Sequence, residues 1–474
     1  MNKKFGFWSI VLLTINGIIG TGIFLSPAGV VKVAGTYTPL VYILAGLFAI
    51  ILAITFASAA KYISKNGSGY AYSKAAFGNE VGYYVGITRF AAGSIAWGVM
   101  ATAVVRTTLG IFGGPDAQTQ GNITLGFLIL MGILLAIVFS GSYITKIASN
   151  ISTIGKITAL LVAVFAGLAI FLKTGQNNFM SINQAVDTAG ELIVKPMDAS
   201  IFVGAILAAF YAYTGFESVA SAASEMEEPE KNLPKAIPLA IGIVALIYVS
   251  VVSIAMIINP EGILNSTEPV ILASAFVNPL IKNIIIYGAV ISMFGINIAA
   301  AFGTPRIFEA MADEGQLPKF LSKKTKQGVP LFAFLVTASM AIAVPMAFQY
   351  NMRGIMIISS VSRFIQFLVV PMAVIMFYYD KNKEPKIETA QKMFFTDVVI
   401  PIIAFVTSAF LLYKFSWAEQ FSMVNDNGET VTNTYAIWAM IIGYVILPIG
   451  VYIPYKMGLY KEKKVVSSSN RSVS

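Results

Sequence analysis

Long apolar stretches, separated by short polar segments, follow one another along the whole chain. Each is about 20 residues or longer, which is the length that a helix needs to cross a bilayer. A backbone in lipid must satisfy its own hydrogen bonds, and these stretches are too long and too uniformly apolar for barrel strands. Twelve membrane-spanning helices are therefore predicted, at residues 6–33, 38–61, 83–112, 122–140, 150–172, 199–223, 236–258, 280–310, 330–348, 354–378, 397–416 and 435–457.

The composition supports a membrane protein. Of the 474 residues, 57% are hydrophobic and only 12% are charged, which is more apolar surface than a soluble fold can bury. The first stretch is long and lacks a small-residue cleavage site, so it is predicted to be a retained span and not a signal peptide. We expect a single transmembrane domain over residues 1–474 and no separate soluble domain.

The net charge of +9 follows from membrane topology. If the N-terminus is cytoplasmic, the inner loops and tails hold most of the lysines and arginines, and the outer loops hold most of the isolated acids. The positive-inside rule then predicts that both termini are cytoplasmic. No nucleic-acid partner is expected, because the basic residues are explained by topology.

The sequence contains no histidine and no cysteine. Thiolate nucleophiles, Ser/His/Asp triads and metal sites built from His or Cys are therefore excluded. No Walker-type loop and no acidic metal cluster is found, so an ATP-driven pump is not expected. We predict no catalytic residues, no metal and no cofactor, and any proton handling must fall to carboxylates or a lysine.

Two of the predicted spans are interrupted by glycine near their middle. The first contains NGIIGTGIF (16–24), and the sixth contains FYAYTGFE (210–217), in which Gly215 precedes Glu217. Unwinding a helix frees amide N–H groups and carbonyls, and an amino acid fits such a gap with its carboxylate and its ammonium. Close packing of neighbouring helices is the alternative explanation for these glycines.

The two interruptions occupy corresponding places, five spans apart. This spacing predicts an inverted repeat of five plus five helices, at residues 6–172 and 199–378. Two additional helices at 397–457 and a cytoplasmic tail at 458–474 would follow the repeat.

Several motifs resemble those of the amino acid/polyamine/organocation (APC) superfamily of permeases. INGIIGTGIFLSPAG (15–29) resembles its first helix, AFYAYTGFESVASAASEMEEPEKNLPKAIP (209–238) its sixth helix and following loop, and GTPRIFEAMADEGQLP (303–318) the end of its eighth helix. NISTIGKITAL (150–160) is similar to the fifth helix of the L-type amino acid transporters and their bacterial relatives. The resemblance covers nearly the whole chain except the last two spans and the tail. It implies an all-α polytopic protein with the LeuT fold and alternating access.

The resemblance also implies a binding site. It assigns the backbone N–H groups of Thr21 and Gly22 to the substrate carboxylate, and carbonyls of Ile18, Tyr211 and Thr214 to the substrate ammonium. Tyr211 would close over the substrate, although tyrosines in membrane helices also serve as interfacial anchors or core residues. The full predicted substrate-binding set is Ile18, Gly20, Thr21, Gly22, Tyr211, Tyr213, Thr214 and Gly215.

Two charged residues are predicted to act in coupling or gating. Lys156 lies within the predicted span 150–172, where a lone charge costs a few kcal/mol unless it faces the bundle interior. In family members with this lysine, it resembles a built-in replacement for a sodium ion between spans 1 and 8, which implies sodium-independent transport; snorkelling to an interface is the alternative. Glu217 is either a proton carrier or gate latch, or a structural ion-pair partner, for instance of Arg363. No role in transport is predicted for Arg89 or Arg106.

The predicted function is secondary active transport of amino acids across a bacterial cytoplasmic membrane, as an exchanger or a proton symporter. Small residues at 299–301 and the lack of a further acid for a cationic side chain favour neutral L-amino acids. The alternatives are an amino acid/amine (precursor/product) or polyamine antiporter, and a sensor that binds without transporting; an enzyme is not expected. Expected partners are the amino acid, the lipid bilayer and protons, with the protein a monomer or a homodimer.

One motif departs from the family pattern. Many members carry Arg-Asp-Gly after the eighth helix, whereas this chain has Asp313, Glu314 and Gly315. An inner-gate role for the missing arginine is therefore not expected here.

Overall fold

The computed structural model describes residues 4–20, 22–25, 27–186, 192–194, 196–266, 270–348, 350, 352–414, 417–424 and 430–460. Almost all regular structure in this part of the chain is helical. The α-helices are α1 (Phe7–Ile18), α2 (Gly22–Leu25), α3 (Pro27–Ala34), α4 (Thr38–Tyr62), α5 (Gly69–Phe77), α6 (Asn79–Phe112), α7 (Gln120–Phe139), α8 (Ser142–Thr174), α9 (Ala199–Tyr211), α10 (Pro229–Ile258), α11 (Pro260–Leu264), α12 (Pro279–Gly303), α13 (Pro305–Asp313), α14 (Leu331–Ala347), α15 (Met352–Tyr378), α16 (Ile400–Tyr413), α17 (Trp417–Gln420), α18 (Thr434–Ile441) and α19 (Leu447–Lys456).

Shorter elements complete the fold. Two strands, β1 (Ser422–Val424) and β2 (Thr430–Thr432), pair antiparallel between the last two spans. Single turns of π-helix occur at Phe395–Val399 and Ile442–Ile446. The 3₁₀ segments are Gly35–Tyr37, Pro115–Ala117, Ser181–Gln184, Phe216–Glu225, Ile271–Ala275 and Lys319–Ser322.

Ten helical segments of the described chain are long and apolar enough to cross a membrane. They coincide with ten of the twelve predicted spans. The two others, the first and the ninth, correspond to shorter apolar helices at Phe7–Ile18 and Leu331–Ala347. The prediction of an all-α polytopic protein is confirmed, while the count of twelve spans depends on these two shorter helices.

Several helices begin earlier than the predicted spans. Helix α6 begins at Asn79 and not at 83, α8 at Ser142 and not at 150, and α10 at Pro229 and not at 236. The apolar pattern marks only the part of a helix that crosses hydrocarbon, whereas the helix itself continues into the polar interface. Proline at the first position of α10 is compatible with a helix start, since that residue needs no N–H partner.

The helices pack in matched pairs. Helix α1 packs on α10 as α9 packs on α4, and α8 packs on α12 as α15 packs on α6. These pairs interchange when each span is replaced by its counterpart in the other repeat, five places later for the first five spans and five places earlier for the next five. The inverted repeat over 6–172 and 199–378 stays a prediction, and this packing supports it.

Large apolar side chains cover the outside of the bundle. Ile151, Phe165 and Leu246 are each more than 60% exposed. Soluble proteins rarely expose so much contiguous apolar surface, whereas lipid tails solvate it well. The exterior therefore fits a bilayer, and the polar residues discussed below are turned inward.

Candidate functional site

The first and sixth spans are both interrupted. Helix α1 ends at Ile18 and helix α2 begins at Gly22. In the sixth span, α9 ends at Tyr211, and a 3₁₀ segment (Phe216–Glu225) follows Gly215, whose φ is +118°. This left-handed φ is one that glycine adopts readily and residues with a Cβ do not.

Glycines allow the two interruptions to touch. A Cβ on Gly215 would lie 2.1 Å from the carbonyl oxygen of Gly17, and a Cβ on Gly22 would lie 2.9 Å from the Cα of Ala212. The two explanations considered from the sequence, unwinding and close packing, therefore both apply: the spans cross at their breaks.

A cavity of about 80 Å³ lies at this crossing, bordered by α1, α6, α9, α12 and α15. Six of the predicted binding residues line it, namely Ile18, Gly20, Gly22, Tyr211, Thr214 and Gly215. Thr21 lies outside the described residues. The cavity therefore brings together the two short sequence segments that the site prediction named.

Tyr213 does not line the cavity. Its side chain is fully buried, its hydroxyl donates to the carbonyl oxygen of Tyr42 at 3.0 Å, and its ring centroid lies 5.0 Å from that of Tyr248. Tyr213 thus contacts α4 and α10, whereas Tyr211 lines the cavity. The expectation that Tyr213 belongs to the binding site therefore does not agree with its position, which is that of a packing residue.

The sequence did not identify several residues of the lining. From α6 come Arg89, Gly93 and Met100, and from α15 comes Arg363. The two arginines carry a signal that could have been used, since an ionisable residue inside a membrane span marks a functional site by default.

Glu217 is held from three sides. Its Oε1 lies 3.2 Å from Arg89 Nη2 and 3.2 Å from Arg363 Nε, and its Oε2 accepts the amide N–H of Gly215 at 2.8 Å. The carboxylate is fully buried, and Arg89 Nη2 also donates to Ser218 Oγ. The sequence analysis named Arg363 as a possible ion-pair partner of Glu217, but it did not identify Arg89 as a second partner.

Lys156 lies behind the break in the first span. Its Nζ donates to Asn16 Oδ1 at 2.7 Å and to carbonyl oxygens of Asn16, Ile19 and Ser292. The residue is fully buried. Its ammonium thus joins α1 to α12, the first and eighth spans: the carbonyls of Asn16 and Ile19 lie at the break, and that of Ser292 lies within α12.

The chain near Phe5 packs against the segment that follows the sixth span. The amide of Phe5 donates to the carbonyl of Glu225, and the amide of Glu227 donates to the carbonyl of Phe5, each at 2.9 Å. Arg306 Nη2 lies 3.2 Å from Glu225 Oε1, and the rings of Phe5 and Phe302 have centroids 5.3 Å apart. These contacts join the N-terminal segment and the end of the sixth span to α12 and α13 at the predicted cytoplasmic end.

A second group of charges lies at the same end. Lys74 Nζ contacts Glu314 Oε2 at 3.0 Å and Glu384 Oε1 at 2.5 Å, and Lys65 Nζ contacts Glu314 Oε1 at 3.1 Å. Burial works against the charged form of Lys74, but its hydrogen bonds to Glu384 and Glu314 outweigh burial and raise its pKa. Burial likewise opposes ionised Glu314, and the hydrogen bonds from Lys74 and Lys65 outweigh it, so that the pKa of Glu314 is lowered. Glu314 therefore joins α5 to the end of α13.

Comparison with known proteins gives long matches. A family model described as amino acid permease matches residues 5–447. The chain is 39% identical to an uncharacterized transporter of Mycobacterium tuberculosis, over 95% of each chain. It is 26% identical to a branched-chain amino acid permease of Bacillus subtilis, over 88% of this chain and 89% of that protein. It is 27% identical to a large neutral amino acids transporter small subunit of Oryctolagus cuniculus, over 88% of this chain and 77% of that protein.

The family match extends over both interrupted spans, the cavity between them and the helices that border it. The chain is a multi-pass membrane protein that belongs to the amino acid permease family.

Proposed function

We propose that the protein transports amino acids by alternating access and that the cavity at the crossing of the first and sixth spans is the substrate site. The observation that carries this proposal is the convergence of two interrupted helices on one cavity. Unwound backbone at membrane depth occurs where it lines a cavity and binds a polar ligand. The family to which the chain belongs makes an amino acid the expected ligand.

In this proposal, the substrate carboxylate binds at the amides of Thr21 and Gly22, and its ammonium binds at carbonyls of Ile18, Tyr211 and Thr214. The carbonyl of Tyr211 already accepts the Thr214 hydroxyl at 2.8 Å. An ammonium that binds this carbonyl would share it with that hydroxyl or displace it. Tyr211, which is 37% exposed and lines the cavity, is proposed to cover the substrate.

The side chain of the substrate is proposed to be one that carries no positive charge. None of the described residues that line the cavity is an aspartate or a glutamate, and the carboxylate nearest to it, Glu217, already has two arginine partners. Neutral L-amino acids, the class predicted from the sequence, fit the small apolar lining at Ala299 and Ala300. No observation favours an amine or polyamine antiporter.

Transport is proposed to be independent of sodium, because the ammonium of Lys156 occupies the place between α1 and α12 where a cation would neutralise the freed carbonyls. Lys156→Ala should abolish or strongly reduce transport, or make it dependent on sodium. Uptake into proteoliposomes in sodium and in potassium buffer measures both effects. Lys173→Ala, at the exposed end of the same helix, is the matched control. Unchanged kinetics in Lys156→Ala would contradict a coupling role for this lysine.

We propose that the protein is an exchanger and not a proton symporter in which Glu217 carries the proton. Two arginines and an amide N–H all stabilise the ionised carboxylate, which works against its protonation during each cycle. Glu217 is then a latch that holds the sixth span to α6 and α15.

The experiment that tests the function is uptake of labelled neutral, acidic, cationic and aromatic amino acids into proteoliposomes. Vesicles loaded with unlabelled amino acid are compared with empty vesicles and with vesicles under an imposed proton gradient. Uptake that requires internal substrate is the expected result. Uptake driven by the proton gradient alone would instead favour symport. Failure of every amino acid to be transported or bound would refute the proposal.

A further inference from the structure

Two arginines converge on the substrate cavity from different helices. Arg89 comes from α6 and Arg363 from α15, and both line the cavity together with Tyr211 and Thr214. Their side chains are only 6% and 12% exposed. The cavity wall therefore carries two buried guanidinium groups, which are always charged.

A single carboxylate serves both arginines. Arg89 Nη2 and Arg363 Nε contact the same oxygen of Glu217, and the other oxygen accepts the amide of Gly215. Two positive groups and one negative group leave one positive charge in excess. A buried charge without a partner is costly, so this excess favours the entry of an anionic group.

One nitrogen of the Arg363 guanidinium has no acceptor among the described residues. This nitrogen, Nη1, is buried. The guanidinium lies 5.8 Å from the ring centroid of Tyr211, the residue proposed to cover the substrate. An unpaired guanidinium N–H beside the binding cavity is placed to meet a side-chain group of the substrate, since it can donate to a carboxylate in its own plane.

The geometry points to a subsite for a side-chain carboxylate, formed by Arg363 with Arg89 behind it. The cavity then accepts acidic amino acids as well as neutral ones and binds an acidic amino acid more tightly than its uncharged amide. Such a substrate has a net charge of −1 and neutralises the excess charge of the cavity. This inference rests on the proposed function and names a substrate class for the same site.

The first test uses the unchanged protein. Binding to the reconstituted full chain is measured by competition for L-glutamate against L-glutamine and for L-aspartate against L-asparagine at neutral pH. Each pair differs in one group, a carboxylate or an amide of nearly the same shape. We expect the affinity of at least one acid to be at least about tenfold higher than that of its amide, because charge-assisted hydrogen bonds in a buried site are stronger than neutral ones. This comparison needs no variant and so does not depend on a variant folding.

The second test is Arg363→Gln, in which each acid and its amide are compared within the same variant: the ratio of their affinities should fall to about one. Arg106→Gln is the matched control: Arg106 lies on α6, contacts the carbonyl of Tyr350 at 3.4 Å and does not line the cavity. It should keep the ratio of the unchanged protein.

The outcomes separate this inference from the proposed function. If neutral amino acids bind but neither acid is preferred over its amide, the carboxylate subsite is refuted and the arginines serve only to hold Glu217. A preference that survives in Arg363→Gln refutes the assignment to Arg363. If no amino acid binds at all, the proposed function fails and this inference fails with it.

Discussion

Single residues stabilise the break in the first span. The carbonyl of Ile19 accepts hydrogen bonds from Lys156 and from Ser292 Oγ, and Ser292 also donates to the carbonyl of Gly20. Asn16 Nδ2 donates to Ser149 Oγ and to the carbonyl of Gly295. A buried carbonyl without a donor costs about 1–3 kcal/mol, so these side chains offset the cost of the break.

Gly215 is the position at which a single methyl group should do most harm. Gly215→Ala requires a Cβ at φ +118° and 2.1 Å from the carbonyl oxygen of Gly17, so the crossing of the two spans must open. The left-handed conformation alone costs about 1–2 kcal/mol, and the clash adds to it. We expect a lower midpoint of thermal unfolding in detergent and loss of amino acid binding.

Gly204→Ala is the control for that experiment. Gly204 lies in α9, in the same span, and a Cβ there meets nothing within 4 Å. It should bind substrate normally, and its unfolding midpoint should be equal to or slightly above that of the unchanged protein, because alanine favours the helix. Equal behaviour of the two variants would contradict a tight crossing at Gly215.

Among the elements, the 3₁₀ segment Phe216–Glu225 connects the broken sixth span to the rest of the bundle. Glu217 at its start pairs with α6 and α15, and Glu225 at its end pairs with Arg306 at the start of α13. Because the segment lacks the full hydrogen bonding of an α-helix, these side-chain contacts determine its position. In the proposed alternating access, this segment is the element that would change its arrangement.

A double-mutant cycle tests the latch. Glu217→Gln leaves two buried arginines without a carboxylate and should destabilise the protein by about 3–5 kcal/mol, whereas Arg89→Gln leaves the pair with Arg363 intact and should cost less. The two changes together should cost less than their sum, with a coupling energy of about 1–3 kcal/mol. The free energy of unfolding of the unchanged protein, the two single variants and the double variant is measured in mixed detergent micelles.

The exposed pair Glu228 and Lys231 is the comparison cycle, since its side chains are 61% and 65% exposed. Its coupling energy should stay below about 1 kcal/mol. A coupling between Glu217 and Arg89 no larger than this would show that the buried contact does not hold the segment.

The charged group around Lys74 and Glu314 should make stability dependent on pH. The pKa of Glu314 lies below its ordinary value of 4.5, so its contribution is complete above that pH and is lost as the pH falls through the lower folded value. Stability of the unchanged protein should therefore fall on acidification below about pH 4.5. Glu314→Gln should be less stable at neutral pH and show a smaller fall.

Unfolding midpoints at a series of pH values check this expectation. Asp313→Asn is the neighbouring control, because the side chain of Asp313 is 55% exposed and its nearest lysine contact, with Lys319, is 3.7 Å. If Glu314→Gln retains the full fall in stability between neutral and acidic pH, the contacts of Glu314 with Lys65 and Lys74 do not contribute to it.

For the whole molecule, the distribution of charges predicts the orientation of the bundle in the membrane. The chain has no cysteine, so a single introduced cysteine is a specific probe. The positive-inside rule predicts that Gln118→Cys, between α6 and α7, faces outward and that Lys381→Cys, after α15, faces the cytoplasm. In intact cells, a maleimide that does not cross membranes should label the first and not the second, and both should react after permeabilisation. The reverse pattern would invert the topology.

The sequence determined the class of the protein, the positions of its spans, both interruptions and the burial of Lys156. These conclusions follow from local properties: the length of an apolar run, the place of glycine within it and the cost of a charge in lipid. The same local signals could not mark helix ends, which is why α8 begins eight residues before its predicted span.

The tertiary structure decided which side chains meet. Arg89 reaches Glu217 across 128 residues of sequence, and no local pattern specifies such a contact; the pair with Arg363, across 146 residues, was one of two alternatives from the sequence, and the structure contains it. It also separated Tyr211, which lines the cavity, from Tyr213, which packs behind it. Helical periodicity stops where a span unwinds, so side-chain direction there depends on the neighbouring helices. The sequence therefore indicated the two interrupted segments at which we propose the substrate site, and the packing of distant helices determined the charge of the cavity between them.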